Sequence, residues 1–254
     1  MSETAGHING WKSIWSKSTV LDDIKLSGEE DFAEVFMELK AFTDPNYHGG
    51  YPSLSRFNAF VDQFNIFLRE LSFSTDPEYQ PKSFFDVGCS TGPYLYYLST
   101  LNPEFRLGGM DYSEAYVEVA RRYVQNAVEL YSAEARDLKT DIKYDCVFSR
   151  SIFQYFDDLA YGEEVITRMI EKADHSVGIF DVHDLAKKEA FLNYRRSVVE
   201  NYDEKYKDTQ HLFYPKSMFI DIAERYDCDV KFAHCALPNY WNAAYTYDVY
   251  FYKR

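Results

Sequence analysis

Two aspartates and a glycine-rich turn are the residues of this chain with the types and spacing to do chemistry. The run Ser83-Phe84-Phe85-Asp86-Val87 carries an acid and then turns through Gly88-Cys89-Ser90-Thr91-Gly92. A second acid, Asp111, ends the apolar run Arg106–Met110. Glycine lets a chain turn tightly with no Cβ in the way. The N–H groups exposed where such a loop opens a helix favour a negative group, phosphate or carboxylate. A carboxylate at the tip of the next strand can accept both hydroxyl protons of a ribose. Together these features describe a site for an adenosine-containing ligand. The spacing Gly88-x-Ser90-x-Gly92, followed by Pro93, does not match the G-x-G-x-x-G of dinucleotide sites.

Alternating elements must position these groups. Short apolar runs predict strands at Ser83–Val87, Arg106–Met110, Val128–Tyr131, Cys146–Ser149, Ser176–Asp181, Asp229–Ala236 and Tyr245–Tyr252. Helical spacing predicts helices at Tyr94–Leu101, Glu114–Asn126, Gly162–Lys172, Leu185–Tyr202 and Lys216–Arg225. That alternation argues for an α/β fold with a mostly parallel sheet covered on both faces, the last two strands pairing antiparallel. Residues 1–75 differ. Glu29–Phe42 and Arg56–Leu71 read as amphipathic helices around the loop Tyr47-His48-Gly49-Gly50-Tyr51-Pro52. We expect an N-terminal helical cap over 1–75 and a ligand-binding domain over 76–254. The polar, proline-containing stretch Ser72–Pro81 marks the boundary.

Composition narrows the partners. A formal charge of −14 argues against nucleic acid and anionic membranes, which require a basic face. No run is long enough to span a bilayer, and Met1–Gly10 lacks the order of a signal peptide, so a cytoplasmic location is expected. The four cysteines Cys89, Cys146, Cys228 and Cys235 form no C-x-x-C pair, and they read as buried thiols with no metal site. The 23 tyrosines suit a pocket for a small acceptor, although most of them serve packing.

At these motifs the chain resembles the class I S-adenosylmethionine-dependent methyltransferases. Asp86-Val87-Gly88-Cys89-Ser90-Thr91-Gly92 is similar to that family's first motif, with Ser90 in place of its middle glycine. Gly109-Met110-Asp111-Tyr112-Ser113 is similar to the acidic ribose motif, and Ala133–Leu138 and Tyr144–Arg150 to the segments at the third and fourth strands. The resemblance covers roughly residues 80–185. It implies a Rossmann-like, seven-stranded sheet with an antiparallel C-terminal strand, and S-adenosylmethionine as cofactor. It further implies that Gly88, Ser90 and Gly92 lie along the methionine part and ribose, and that Asp86 belongs to the cofactor site, with capping of the loop as its other role. Asp111 would hold the ribose hydroxyls, with Met110 and Tyr112 beside the adenine. Glu134 would accept from the adenine amino group, with Asp137 as its rival, and Ala135 would donate to the ring. Ser149 and Arg150 would line the floor where cofactor and acceptor meet.

Methyl transfer to a hydroxyl or ammonium group is helped by a general base. His183, at the C-terminal end of the fifth predicted strand, is the first candidate, with the capping of the next helix as its other role. His48, in the cap loop, is the second. Tyr47, Tyr51, Arg56, Gln154, Tyr155, Tyr214, Tyr240 and Trp241 are candidate pocket walls, with Arg56 able to pair with a carboxylate. The expected activity is methyl transfer to oxygen or nitrogen of a small molecule, such as a sugar or natural-product intermediate. Two alternatives stay open: another use of the sulfonium, in group transfer, elimination or cyclisation, and a non-catalytic binding subunit. A homodimer stands as an open expectation.

Overall fold

The computed structural model describes residues 31–41, 54–234 and 240–254. Its elements run α1 (Phe32–Ala41), α2 (Leu54–Leu71), β1 (Ser83–Val87), α3 (Pro93–Leu101), β2 (Arg106–Asp111), α4 (Glu114–Tyr123), β3 (Ala127–Ser132) and β4 (Tyr144–Arg150). They continue with α5 (Leu159–Lys172), β5 (Ala173–His183), α6 (Lys188–Val198), α7 (Tyr202–Lys205), α8 (Lys216–Arg225), β6 (Cys228–Ala233) and β7 (Thr246–Lys253). The strands form one sheet in the order β3-β2-β1-β4-β5-β7-β6. Pairings from β3 through β5 are parallel, and β7 runs antiparallel to both β5 and β6. The sheet is the Rossmann-like one expected. Its order reverses between β1 and β4, where a crevice opens beyond the strand ends and ligands bind in folds of this kind.

Strand periodicity divides the core into two layers. Phe85, Val147, Val177 and Ile179 pack on one face with Val165, Ile166 and Met169 of α5 and Phe219 of α8. Their neighbours Phe84, Cys146, Phe148 and Phe180 pack on the other face with Leu95 and Leu98 of α3 and Phe64, Phe67 and Leu71 of α2. Successive side chains on a strand point to opposite faces, so two adjacent phenylalanines serve two layers. Each fully buried aromatic of this kind contributes about 1.5–3 kcal/mol by area alone. The described helices of the N-terminal region thus share a hydrophobic layer with the sheet.

Local chemistry moves several boundaries. Asp31 Oδ1 accepts from Glu34 N (3.0 Å) and Glu34 Oε2 accepts from Asp31 N (3.0 Å), a reciprocal cap that starts α1 at Phe32. The helix predicted over Leu185–Tyr202 is instead a turn at Leu185–Lys187 followed by α6 and the short α7. Asn201, with φ 53°, separates α6 from α7. Strand β5 is longer than predicted, and its register against β7 shifts between Ile179 and Val182.

Candidate functional site

The glycine-rich loop leaves β1 in a left-handed conformation. Gly88 has φ 82°, and the N–H groups of Gly88 and Cys89 both donate to the Met110 carbonyl oxygen, at 2.8 and 2.9 Å. Ser90 follows at φ 50°, and its N–H donates to Asp111 Oδ2 (2.9 Å). The other oxygen of Asp111 accepts from Ser113 N (3.0 Å) at the start of α4. Gly92, at φ 79°, caps α3, and a Cβ there would stand 3.0 Å from Ala120 Cβ. That glycine lets α3 start close against α4.

Beyond the ends of β1, β2 and β4 lies a cavity of about 200 Å³. Its wall includes Asp86, Gly88 and Ser90 from the first strand and loop, Met110, Asp111 and Tyr112 from the second, and Arg150 and Ser151 from the fourth. Burial, with the Asp111 charge adding to it, raises the Asp86 carboxyl well above the usual carboxylate range, while Lys40 and Arg150 pull it back. Burial also lifts Asp111 to about 6, against the backbone N–H groups that favour its ionised form. Asp86 Oδ1, Ser90 Oγ and Tyr112 OH are buried without a hydrogen-bond partner among the described residues. Buried polar atoms are normally satisfied, so three such atoms around one cavity point to a polar ligand.

Two cations face these acids. Arg150 donates through Nη2 to Gln63 Oε1 (3.0 Å) and through Nη1 to Tyr94 OH. Lys40, on α1, and Arg150 sit 5.7 and 5.3 Å from the centre of the Tyr94 ring. The cavity therefore has acids at the strand tips and cations beside an aromatic, an arrangement suited to a zwitterion attached to a sugar hydroxyl pair.

Residues 84–175 match the methyltransferase domain family. The fold agrees with solved structures of such enzymes. A magnesium protoporphyrin IX methyltransferase from Synechocystis PCC 6803 superposes with a TM-score of 0.58 at 13% identity, over 82% of this chain and 91% of that one. The chain has the Rossmann-like fold of these methyltransferases. The plantazolicin methyltransferase BpumL, solved with S-adenosylhomocysteine, aligns over the whole of both chains with a TM-score of 0.55 and 15% identity. Among curated proteins, a malonyl-[acyl-carrier protein] O-methyltransferase of Acetivibrio thermocellus is 35% identical over 75 residues, 29% of this chain and 26% of that protein. The one from Bacillus anthracis is 33% identical over 76 residues, 29% of this chain and 28% of that protein. The chain thus spans about a quarter of the length of the curated relatives it matches.

Of the residues the sequence singles out, Asp86, Gly88, Ser90, Met110, Asp111, Tyr112, Ala135, Arg150 and Tyr155 line this cavity. Three expected ligand residues do not. Gly92 packs against α4. The Glu134 carboxylate accepts from Tyr161 OH (3.3 Å), outside the cavity wall. Ser149 is fully buried and is not part of the cavity wall.

The expected pocket walls divide similarly. The side chain of Gln154 turns back to donate to the Ser151 carbonyl (2.7 Å). Tyr214 is buried and donates to the Phe153 carbonyl (2.9 Å). Trp241 stacks on Tyr194 with ring centres 5.5 Å apart. None of the three lines the cavity. Tyr47, His48 and Tyr51 lie outside the described residues, as does the side chain of Arg56.

His183, the first candidate for a base, is 1% exposed and off the cavity wall. Burial, with a contribution from Arg195, lowers it to about 3. Its Nε2 meets the Asn242 amide at 3.1 Å. The ring stays neutral at physiological pH and has no reach to the cavity.

Sequence reasoning missed Lys40, Tyr94, Tyr116 and Ser151, all of which line the cavity. Only Ser151 carried a local signal, as the first residue past the fourth strand. The other three reach the site from helices whose packing sets their direction.

Next to Ser151 the end of β5 is irregular. Asp181 has φ 61° and sits within the register shift against β7. A bulge of this kind re-aims a side chain. The Asp181 carboxylate is buried, and its Oδ2 accepts from Ser151 Oγ (2.7 Å) and Tyr240 OH (2.8 Å). The Asp181 N–H donates to Asp248 Oδ1 (3.0 Å). Burial raises Asp248 to about 7. Among the described residues no group of three or more His, Cys, Asp or Glu side chains could hold a metal ion. No described helix is long and apolar enough to cross a membrane.

Proposed function

We propose that this chain binds S-adenosylmethionine and transfers its methyl group to an oxygen or nitrogen of a small-molecule acceptor. The observation that carries this reading is the convergence of Asp86, Asp111 and Arg150 on one cavity at the point where the sheet order reverses. The residues present fit the cofactor. Three buried polar atoms there lack partners, and Gly88, with no Cβ, lets Ile152 of the cavity wall pack directly on the loop backbone. When bound, the cofactor supplies an activated methyl group.

The chain's own residues bind and orient. Asp111 keeps lone pairs on both oxygens beyond its backbone bonds and would accept from the ribose hydroxyls. Met110, Tyr112 and Ala135 would enclose the adenine, with Ala135 donating to the ring. Asp86 would accept from the ammonium of the methionine part, and Arg150 and Lys40 would pair with its carboxylate. Tyr155 extends the wall toward the acceptor. In this arrangement the protein mainly positions the acceptor near an already reactive carbon.

The similar proteins named above are methyltransferases of malonyl-[acyl-carrier protein], of magnesium protoporphyrin IX and of plantazolicin. Such diverse acceptors support a shared donor site, with the acceptor selected by residues outside it. Calorimetry with S-adenosylmethionine, followed by detection of S-adenosylhomocysteine and a methylated product across a panel of alcohols, phenols and amines, tests the proposal. Absence of binding at millimolar cofactor would overturn it.

A further inference from the structure

We propose that Ser151 and Asp181 form the proton-accepting pair of this enzyme, with Ser151 Oγ touching the hydroxyl of the acceptor and Asp181 behind it. This rests on the methyl-transfer reading and specifies its acceptor chemistry. Ser151 lines the cavity beside Arg150, and its hydroxyl donates to Asp181 Oδ2 at 2.7 Å. The serine is held on three sides: its N–H donates to the Phe180 carbonyl (3.2 Å), its carbonyl accepts from Gln154 Nε2 (2.7 Å), and its hydroxyl is fixed by Asp181.

Both members adopt left-handed backbone conformations, φ 56° at Ser151 and φ 61° at Asp181. Neither is glycine, and such conformations persist where the surroundings over-determine them, often at functional sites. The register shift in β5 brackets Asp181 and accompanies its left-handed backbone, and the carboxylate so aimed meets the serine hydroxyl. Tyr155 and Phe156, four and five residues further on, line the same cavity and offer flat faces for a planar acceptor.

The step balances. The acceptor oxygen bonds to the methyl carbon, and the electron pair of the broken carbon–sulfur bond stays on sulfur. The acceptor proton passes to Ser151 Oγ as the proton of that hydroxyl moves to Asp181 Oδ2. The groups facing Asp181 are Tyr240 and Asn242, which donate to it, Asp248 of β7, which accepts from its N–H, and His183, bonded to Asn242. Tyr240 bonds the same carboxylate oxygen as Ser151, yet Tyr240 is not on the cavity wall. It therefore serves as an internal control.

The probe is p-nitrophenol, whose phenolate is yellow. At a pH where the free phenol stays protonated, the wild-type protein loaded with S-adenosylhomocysteine is expected to bind it, and so are Ser151→Ala and Asp181→Asn. With S-adenosylmethionine, single-turnover formation of p-nitroanisole should fall about 100-fold in Ser151→Ala, within the range of general-base effects. Tyr240→Phe should stay within about threefold, and affinity for S-adenosylhomocysteine should be unchanged in all three. If Asp181→Asn fails to fold, Ser151→Ala against Tyr240→Phe still decides, because a purely structural carboxylate predicts equal losses. A loss in Ser151→Ala no greater than that in Tyr240→Phe, or a wild type that binds S-adenosylhomocysteine but leaves p-nitrophenol unbound, overturns the pair. A wild type that binds no S-adenosylhomocysteine overturns instead the reading on which the pair rests.

Discussion

The backbone N–H of Ser90 donates to Asp111 Oδ2 at 2.9 Å, so the glycine-rich loop after β1 is tied to the acid at the tip of β2. One carboxylate thereby shapes the loop and faces the cavity. Its second oxygen holds Ser113 N at 3.0 Å. Removing it leaves two backbone donors to be satisfied again by water. Asp111→Ala is expected to weaken S-adenosylhomocysteine binding at least tenfold by calorimetry and to lower stability by about 1–3 kcal/mol in denaturant unfolding. Unchanged affinity would remove Asp111 from the ribose site.

The pH dependence of ligand binding follows from the same group. Burial lifts Asp111 from 3.8 to about 6 in the free protein. Ribose hydroxyls donate, so they require the ionised acceptor. Affinity for S-adenosylhomocysteine should rise as pH climbs from 5 to 7 and then level off, with proton release measurable by calorimetry in two buffers of different ionisation enthalpy. A flat profile through this range would contradict the assignment.

Stability of the free protein should respond in the opposite sense. Asp248, buried behind Asp181, is lifted from 3.8 to about 7. A folded acid with a raised pKa binds its proton more tightly than the unfolded chain does. Its contribution is fully present below about pH 4 and is lost as pH rises through about 7. Asp248→Asn keeps an oxygen that can accept from Asp181 N and no longer titrates. The melting temperature of the variant should therefore fall less between pH 5 and pH 8 than that of the wild type. Parallel profiles would show that Asp248 does not carry this effect.

Gly88→Ala tests the cradle. A Cβ at this position would stand 2.7 Å from Ile152 Cγ2, and φ is 82°. The strain and the displaced isoleucine should cost about 1–3 kcal/mol in unfolding experiments and narrow the cavity. Loss of S-adenosylhomocysteine binding in a variant that still melts cooperatively is the expected result. Retained affinity would show that Ile152 moves aside freely.

His183→Gln addresses the histidine first expected to act as base. Its ring is buried, off the cavity wall and lowered to about 3. Methyl transfer in this variant should remain within about tenfold of wild type, well above Ser151→Ala, because a general base typically contributes 10²- to 10⁴-fold. A loss of about 1000-fold with an unchanged melting temperature would restore the histidine to the reaction.

Short-range features are legible in the amino-acid sequence. Turn glycines, apolar strand runs and an acid at each of two strand tips are encoded within a few residues, and β1 and α8 form with the ends predicted for them. The helix predicted over Glu29–Phe42 is described from Phe32, where the reciprocal Asp31–Glu34 cap starts α1. Helix α6 ends early because Val199 turns extended, with φ −121°, and Asn201, with φ 53°, then opens α7, changes that composition does not announce.

The two strand-tip acids and the loop between them were determined by sequence alone, because strand period and glycine conformation are local properties of the chain. Which polar groups would face the cavity was decided by tertiary packing. Arg150 reaches Gln63 and Tyr94, Ser151 reaches Asp181 across 30 positions, and His183 is carried into the interior. Burial, a bulge and the packing of helices on a sheet are sums over distant segments, and no window of sequence contains them.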